Sequence, residues 1–376
     1  MMPSLIPADL IIQNVLVITM NPLAPFAKGI AISNGKIAGL LYHEEEKWPL
    51  VPGGRYIDGN GMTLMPGLIE AHCHLRAQIS CDLSVACGRK EVKNISDIIT
   101  IIQKRADRLP VGTWIRATGY DPFYQTDQRH PTRWDLDKAT TAHPVRLRHV
   151  TRHASVLNSM ALAIAGIGPD TPDPPGVTVV REAGTGNPTG LIYGGDAWLS
   201  RHVIPPLAES DLHFGSKQLQ TMLLSKGITA VQDATPTNTV GDLQFWASRM
   251  EDGWCLPLQL MAEEERHEQM VNFFDKELSA YFSGRLEMGP VKVVMEALPH
   301  LWPEPHELSK LASKTVKRGS SLAIHVVNPE MVWAAIEAIR PVAEISADRK
   351  IKHRLEHLSL CPEAFLPDIA ELGIMV

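Results

Sequence analysis

The first sixty residues alternate short apolar runs with turn residues. The runs ADLIIQNVLVIT, GIAISNGKIAGLL and GGRYIDGNGMTLMPG are rich in Ile, Val and Leu and are bounded by Pro, Gly or Asn-Gly. Such runs predict strands, and Asn34 followed by Gly35 predicts a hairpin turn because both residues tolerate a positive φ angle. We therefore expect residues 1–64 to form a small β domain.

From Gly67 onward, short apolar runs alternate with stretches of helical character. Seven runs have this form: 68–75, 227–234, 255–263, 290–297, 321–327, 353–360 and 373–376. Amphipathic spacing in 212–227 and 329–344 predicts helices between them. Strands that alternate with helices predict an α/β fold with a parallel sheet, and seven strands are one fewer than a closed barrel needs. The predicted barrel takes residues 65–75 and 212–376.

Residues 76–211 interrupt this alternation. They contain one convincing helical pattern, NISDIITIIQKRADRL at 94–109, and the remainder is rich in Pro, Asp, Thr and Gly. We therefore predict an insertion between the first and second barrel strands.

Composition excludes several classes of protein. In this chain of 376 residues, 44% are hydrophobic and 21% charged, which is the balance of a protein that buries a large core. The net charge of -6 gives no general attraction for nucleic acid or anionic membranes. The N-terminus lacks the basic region of a signal peptide, and five cysteines without a C-x-x-C pair indicate no disulfide framework. We expect a cytoplasmic protein.

Two histidines end the first barrel strand. His72 and His74 lie two residues apart, so their imidazoles point to the same side of a strand, at the end where barrel enzymes place catalysis. Converging neutral imidazoles can bind a divalent cation. The alternative is two histidines that are satisfied by hydrogen bonds, and the pair alone leaves both interpretations open.

Later apolar runs carry further candidates. His325 ends SLAIH, and His357 lies on the same predicted face as His353 and Leu355, toward the end of its strand. Each could be a ligand or a hydrogen-bonded core residue. Lys292 lies among Val and Met, where an inward ammonium would be unfavourable unless it is paired or chemically altered. A lysine that extends outward to solvent is the alternative.

Together these residues resemble the amidohydrolase superfamily, and within it the YtcJ-like branch known as amidohydrolase family 3. The resemblance is carried by IDGNGMTLMPGLIEAHCHL, by the insertion stretch 130–167 with NPTGLI, and by GITAVQDA, PVKVVMEA, LAIH and HRLEH in the family's order. It covers essentially the whole chain, and the ordered set is more specific than any single motif.

The resemblance implies a TIM-like (β/α)8 barrel with a small β-sandwich domain, of which residues 1–64 would be the N-terminal half. It also implies metal ligands on barrel strands 1, 4, 5 and 6, with a carbamylated lysine on strand 4: His72, His74, Lys292, His325 and His357. His153 and Asn158 match an element of the insertion that would lie near the substrate.

The function expected from this resemblance is hydrolysis of a C–N bond in an amide or cyclic amide. One or two divalent metal ions, zinc in first place, would activate water for attack on a small-molecule substrate. The alternative is a hydrolase-derived binding or regulatory protein that has lost turnover. No nucleic acid or membrane partner is expected, and the sequence leaves homo-oligomerisation open.

The resemblance also implies a catalytic Asp at the end of strand 8, which moves a proton between water and the leaving nitrogen. The chain ends at Val376, within the predicted strand 7. We therefore expect no catalytic residue from strand 8 and little or no activity from these 376 residues alone, as for an inactive fragment. Asp233 and Glu356 are the carboxylates considered as substitutes.

Overall fold

The structure is a computed structural model that describes residues 5–43, 45–282, 284–296 and 300–376. The strands found in these residues are β1 (Ala8–Ile18), β2 (Phe26–Ser33), β3 (Lys36–Leu41), β4 (Leu50–Leu64), β5 (Leu68–Cys73), β6 (Val85–Ala86), β7 (Ile115–Tyr120), β8 (Val145–His149), β9 (Ala154–Leu157), β10 (Val177–Arg181), β11 (Pro188–Gly194), β12 (Ile228–Asp233), β13 (Leu258–Ala262), β14 (Leu286–Val294), β15 (Leu322–Val326) and β16 (Arg354–His357).

The α-helices in the same residues are α1 (Leu75–Asp82), α2 (Ile95–Ala106), α3 (Arg133–Ala139), α4 (Ser159–Ile164), α5 (Asp196–His202), α6 (Glu209–Ser225), α7 (Val240–Glu251), α8 (Glu264–Phe273), α9 (Ser279–Phe282), α10 (Pro305–Lys317), α11 (Pro329–Ile339), α12 (Ala343–Asp348) and α13 (Leu366–Glu371). A π-helical segment, Phe274–Leu278, and two 3₁₀ turns, Arg340–Val342 and Glu363–Phe365, complete the helical structure. None of the described helices is both long and apolar enough to cross a bilayer.

The N-terminal strands form one sheet in the order β3-β2-β1-β4. The strand β2 pairs antiparallel with β1 and β3, whereas β4 joins β1 in parallel. The turn between β2 and β3 contains Asn34 and Gly35 at φ angles of 52° and 72°, which confirms the predicted hairpin. The described part of Met1–Glu70, with Lys226–Ala230, makes one compact unit. A second sheet, as a complete sandwich would have, is not among the described residues of this unit.

The predicted barrel strands form another sheet, in the order β16-β15-β14-β13-β12-β5. The strands β13 to β16 lie in the second compact unit, together with the C-terminal halves of β5 and β12. The strands from β12 to β16 pair in parallel. Both faces of β15 are buried, since Leu322 and Ile324 pack against α10 and α11 while Ala323 meets Ala234 and Met261 inside. This double burial explains why the barrel strands read as continuous apolar runs in place of alternating ones.

The barrel sheet curves so that its two outermost strands approach each other. The Arg354 guanidinium on β16 donates to the carbonyl of Ala71 on β5, at 2.9 Å. The predicted seventh strand at 373–376 is present as an isolated parallel bridge between Met375 and Arg354. The sheet is therefore a TIM-like barrel that six described strands nearly close.

A bulge in β14 determines which way Lys292 points. Leu260 pairs with Met288, whereas Ala262 pairs with Val291, so β14 carries one extra residue between these pairs. Past the bulge, Val291 packs with the cluster under the helices. Because side chains alternate along a strand, Lys292 then lies on the interior face, and without the extra residue it would face the helices.

The insertion between β5 and β12 has its own sheet, in the order β10-β11-β9-β8-β7-β6. The predicted helix at 94–109 is confirmed as α2, and Asn94 caps it by accepting a hydrogen bond from the Asp97 N–H. The insertion lies in the same compact unit as the barrel strands. The sequence analysis did not predict its sheet.

Candidate metal centre

Four histidines lie in a row inside the barrel sheet. His72 lies in β5 and His74 directly follows that strand, whereas His325 and His357 come from β15 and β16. Neighbouring ring centroids are 5.4 Å apart for His74 and His72, 4.7 Å for His72 and His357, and 4.6 Å for His357 and His325. The structure therefore brings together the four histidines that the sequence proposed as ligands.

His357 reaches this row by a route that strand alternation does not predict. Leu355 packs in the cluster under the helices, so a regular strand would direct residue 357 to that side as well. The backbone instead takes positive φ angles of 70° at His357 and 44° at Leu358. The prediction that His353, Leu355 and His357 share the ligand face was therefore wrong, because a left-handed turn separates His357 from the other two.

The residue that alternation does place inside is Glu356, which is 5% exposed. Its carboxylate contacts His72 Nδ1 and the Arg354 guanidinium. Burial alone would raise the pKa of Glu356, but the His72 hydrogen bond and the Lys292 and Arg354 charges lower it to about 2. An ionised carboxylate only accepts, so His72 donates through Nδ1.

Lys292 lies in the same interior and is 3% exposed. Its Nζ has no hydrogen-bond partner among the residues that the structure describes. Burial lowers the pKa of Lys292 to about 8, against the opposing attraction of Glu356. An orphaned buried amine of this kind is poorly stabilised as a free ammonium, and a carbamate would turn it into an anionic oxygen ligand.

Three imidazoles of the row, those of His74, His325 and His357, favour the neutral form that binds metals. Burial, followed by the neighbouring His357 and Lys292 charges, lowers the pKa of His325 to about 4. Burial also lowers the pKa values of His74 and His357. The Nδ1 atom of His74 shares a hydrogen bond of 2.9 Å with the Thr235 hydroxyl, which leaves Nε2 available.

These donors fit a divalent cation in their chemistry, since neutral imidazoles and an orphaned amine suit zinc and similar metals. Their present arrangement is not convergent. Among the described residues, no group of three or more His, Cys, Asp or Glu side chains surrounds a point where a metal ion could sit. Rotation of the imidazoles about their side-chain bonds is therefore needed before metal binds.

The two insertion residues proposed for substrate contact have different environments. Asn158 is fully buried, and its amide bonds to the backbone of Val145, Ala161 and His143. This corrects the expected substrate contact, because a buried amide that caps a helix has a structural role. His153 is exposed, and its neighbour Arg152 lies near enough to His74 to lower the pKa of that imidazole.

Asp233, considered as a substitute carboxylate, is 1% exposed. It accepts hydrogen bonds from the backbone N–H groups of Leu75 and Thr235. It therefore fixes the two loops that follow β5 and β12, next to the histidine row.

Comparison with known proteins agrees with this architecture. The model described as "Amidohydrolase family" matches residues 55–376. The chain belongs to the amidohydrolase family. The resemblance predicted from the sequence is thereby confirmed.

Two relatives and one solved structure illustrate the similarity of this amidohydrolase-family chain. It is 26% identical to N-substituted formamide deformylase of Arthrobacter pascens, over 97% of this chain and 72% of that protein. It is 25% identical to Protein LONG AFTER FAR-RED 3 of Arabidopsis thaliana, over 94% of this chain and 65% of that protein. An uncharacterized metal-dependent hydrolase from Pyrococcus horikoshii OT3 shares its fold, with a TM-score of 0.70 at 19% identity, over 97% of this chain and 73% of the other.

Proposed function

We propose that this chain carries the metal centre of a hydrolase that cleaves a C–N bond of an amide or cyclic amide. The observation that carries the proposal is the row of four imidazoles beside a buried lysine whose Nζ has no partner. The likeness to an N-substituted formamide deformylase supports a C–N bond as the target. The proposed substrate is a small molecule.

The proposed metal ligands share the barrel interior: His72, His74, Lys292, His325 and His357. These residues would hold one or two divalent ions, and zinc is the first candidate. When bound, such an ion supplies Lewis-acid activation of the scissile carbonyl and of water.

Neighbouring side chains orient the proposed ligands. Glu356 accepts from His72 Nδ1 and so directs Nε2 of that ring toward the interior. The Thr235 hydroxyl holds the His74 ring through a hydrogen bond to Nδ1. The lowered pKa of Lys292 favours the neutral amine, which can add to carbon dioxide and release a proton to give a carbamate. His153, on the exposed loop between β8 and β9, stays the proposed substrate contact from the insertion.

Metal analysis of the purified protein tests the centre. We expect one or two equivalents of a divalent metal in the native protein, and at least a tenfold loss of affinity in His325→Asn and His357→Asn. His306→Asn is the matched control, because His306 is exposed and pairs with Glu304 outside the histidine row. Full metal content in both test variants would contradict the proposed ligand set.

A substrate panel tests the reaction. N-substituted formamides, linear amides and cyclic amides are offered to metal-free protein and to protein restored with zinc, manganese or cobalt. Turnover that appears only with metal supports the proposed hydrolase. Stoichiometric metal without turnover on the whole panel would instead support the alternatives, which are a hydrolase-derived binding or regulatory protein and an inactive fragment.

A further inference from the structure

One face of the insertion sheet is unusually rich in arginine. On neighbouring strands β7 and β8, Arg116 pairs in register with Arg146, and Thr118 pairs with Arg148. The other face of these two strands carries the buried residues Ile115, Ala117, Val145 and Leu147. Alternation therefore sorts the strands into an apolar core face and a cationic face.

The cationic face lines a cavity of about 220 Å³. Helix α1 contributes Arg76 and Ser80 to its wall, and Ser84, which follows this helix, lines it with Leu207 and Leu212. The wall therefore combines four guanidinium groups with several hydroxyl groups, which all can donate hydrogen bonds to one ligand.

The positive charge of the cavity is only partly neutralised. Asp196 pairs with both Arg146 and Arg148, while Arg116 donates to the carbonyl of Pro205. Arg76 has its own partner in Asp242. Within the described part of the chain, the three guanidinium groups on the sheet thus share a single directly paired carboxylate.

Burial makes this excess charge unfavourable in the empty cavity. Arg146 is 5% exposed, and burial together with the Arg148 and Arg116 charges lowers its pKa to about 9. Like charges directly opposite each other on neighbouring strands destabilise a sheet. An additional anion at this face would relieve that repulsion.

We propose that this cavity binds a small molecule through an oxyanion group, a phosphate or a carboxylate. Arginine presents a planar fork of donors that matches the oxygens of either group, and the serine and threonine hydroxyls complete the set. The volume exceeds that of a bare phosphate, so the ligand carries further atoms beyond its anionic group. The site is built from residues other than the proposed metal ligands and is independent of the proposed hydrolysis.

Calorimetric titration of the metal-free protein tests the proposal, with a chelator present so that no anion binds through a metal. Inorganic phosphate and succinate are the probes, and sodium chloride at equal ionic strength is the reference. We expect saturable binding of at least one probe, and the preferred probe distinguishes a phosphate ligand from a carboxylate ligand. Binding no stronger than the chloride reference for both probes would overturn the proposal.

Two variants with opposite expected effects on anion affinity distinguish a role in binding from a purely structural role. Arg148→Gln is expected to weaken binding about tenfold or more, and Arg116→Gln serves if that variant does not fold. Asp196→Asn removes the internal counter-charge and is expected to strengthen binding, which a purely structural role would not predict. Arg340→Gln is the control, because Arg340 pairs with Glu337 and Asp368 elsewhere. Unchanged affinity in both Arg148→Gln and Asp196→Asn would contradict the site.

Discussion

Replacement of His353 by Gln probes how this barrel depends on pH. His353 is 2% exposed, and its Nδ1 accepts a hydrogen bond of 3.2 Å from the Leu322 N–H. Its Nε2 therefore carries the hydrogen and donates to the Ser346 hydroxyl, which in turn donates to the Val342 carbonyl. A second proton on this ring would break the bond from Leu322, so the folded protein holds the ring neutral.

The magnitude follows from the pKa of His353, which burial lowers from 6.5 to about 4. Between these two values the unfolded chain binds the proton and the folded chain does not. The stability associated with the neutral ring is therefore complete above about pH 6.5 and is lost as the pH falls toward about 4. At about 1.36 kcal/mol per pKa unit, the full loss is about 3 kcal/mol.

Urea unfolding of the wild type and of His353→Gln, both free of metal, measures this effect. We expect the free energy of unfolding of the wild type to exceed that of the variant near pH 8. The difference is expected to shrink by about 2–3 kcal/mol by about pH 4.5, since Gln does not titrate. The other buried histidines are common to both proteins and cancel. A difference that stays constant with pH would refute the reasoning.

Three further substitutions test the burial of single side chains by urea unfolding. Lys292→Met in metal-free protein is expected to raise the free energy of unfolding by about 1–3 kcal/mol, because it removes a buried ammonium without a hydrogen-bond partner; a loss of stability would contradict this. Asn158→Ala is expected to lower it by about 2–4 kcal/mol, since several backbone groups lose their partner, and an unchanged midpoint would contradict the structural role. Leu147→Ala in the insertion core is expected to lower it by about 2–5 kcal/mol, whereas a negligible change would contradict its burial.

The parts of the fold that the sequence predicts are those in which local and tertiary preferences agree. The turn at Asn34 and Gly35 needs two positive φ angles, and both residues accept them cheaply. Helix α2 has an apolar stripe and a capping Asn94. The barrel strands are apolar on both faces because helices cover one side and the barrel interior covers the other. In each case one short segment of sequence contains all the residues that predict the element.

The insertion sheet shows why other parts of the fold cannot be predicted from single segments of sequence. Strand β8 carries arginines at alternate positions and β7 alternates polar with buried residues, and alternation is a strand signal. The strands are short, however, and turns rich in Pro and Gly surround them, so the segment reads as irregular. The arginine-rich face cannot be predicted from one segment, because it forms only when β7 and β8 pair and place their arginines opposite each other.

The sequence indicates the histidines of the candidate site as ligands, but it indicates Glu356 only as a substitute for the strand-8 Asp and not as the partner of His72. The reason is the direction of side chains near a strand end. Alternation in RLEH assigns Leu355 to the helices and Glu356 to the interior, so the sequence held the signal for Glu356. The positive φ angle at His357 then adds a second residue to the same interior, which no periodic pattern encodes. Lys292 depends in the same way on an extra residue in β14. Departures from regular strand geometry thus bring the histidine and the lysine to the glutamate that regular alternation already places there, and such departures are expected where function and regular structure compete.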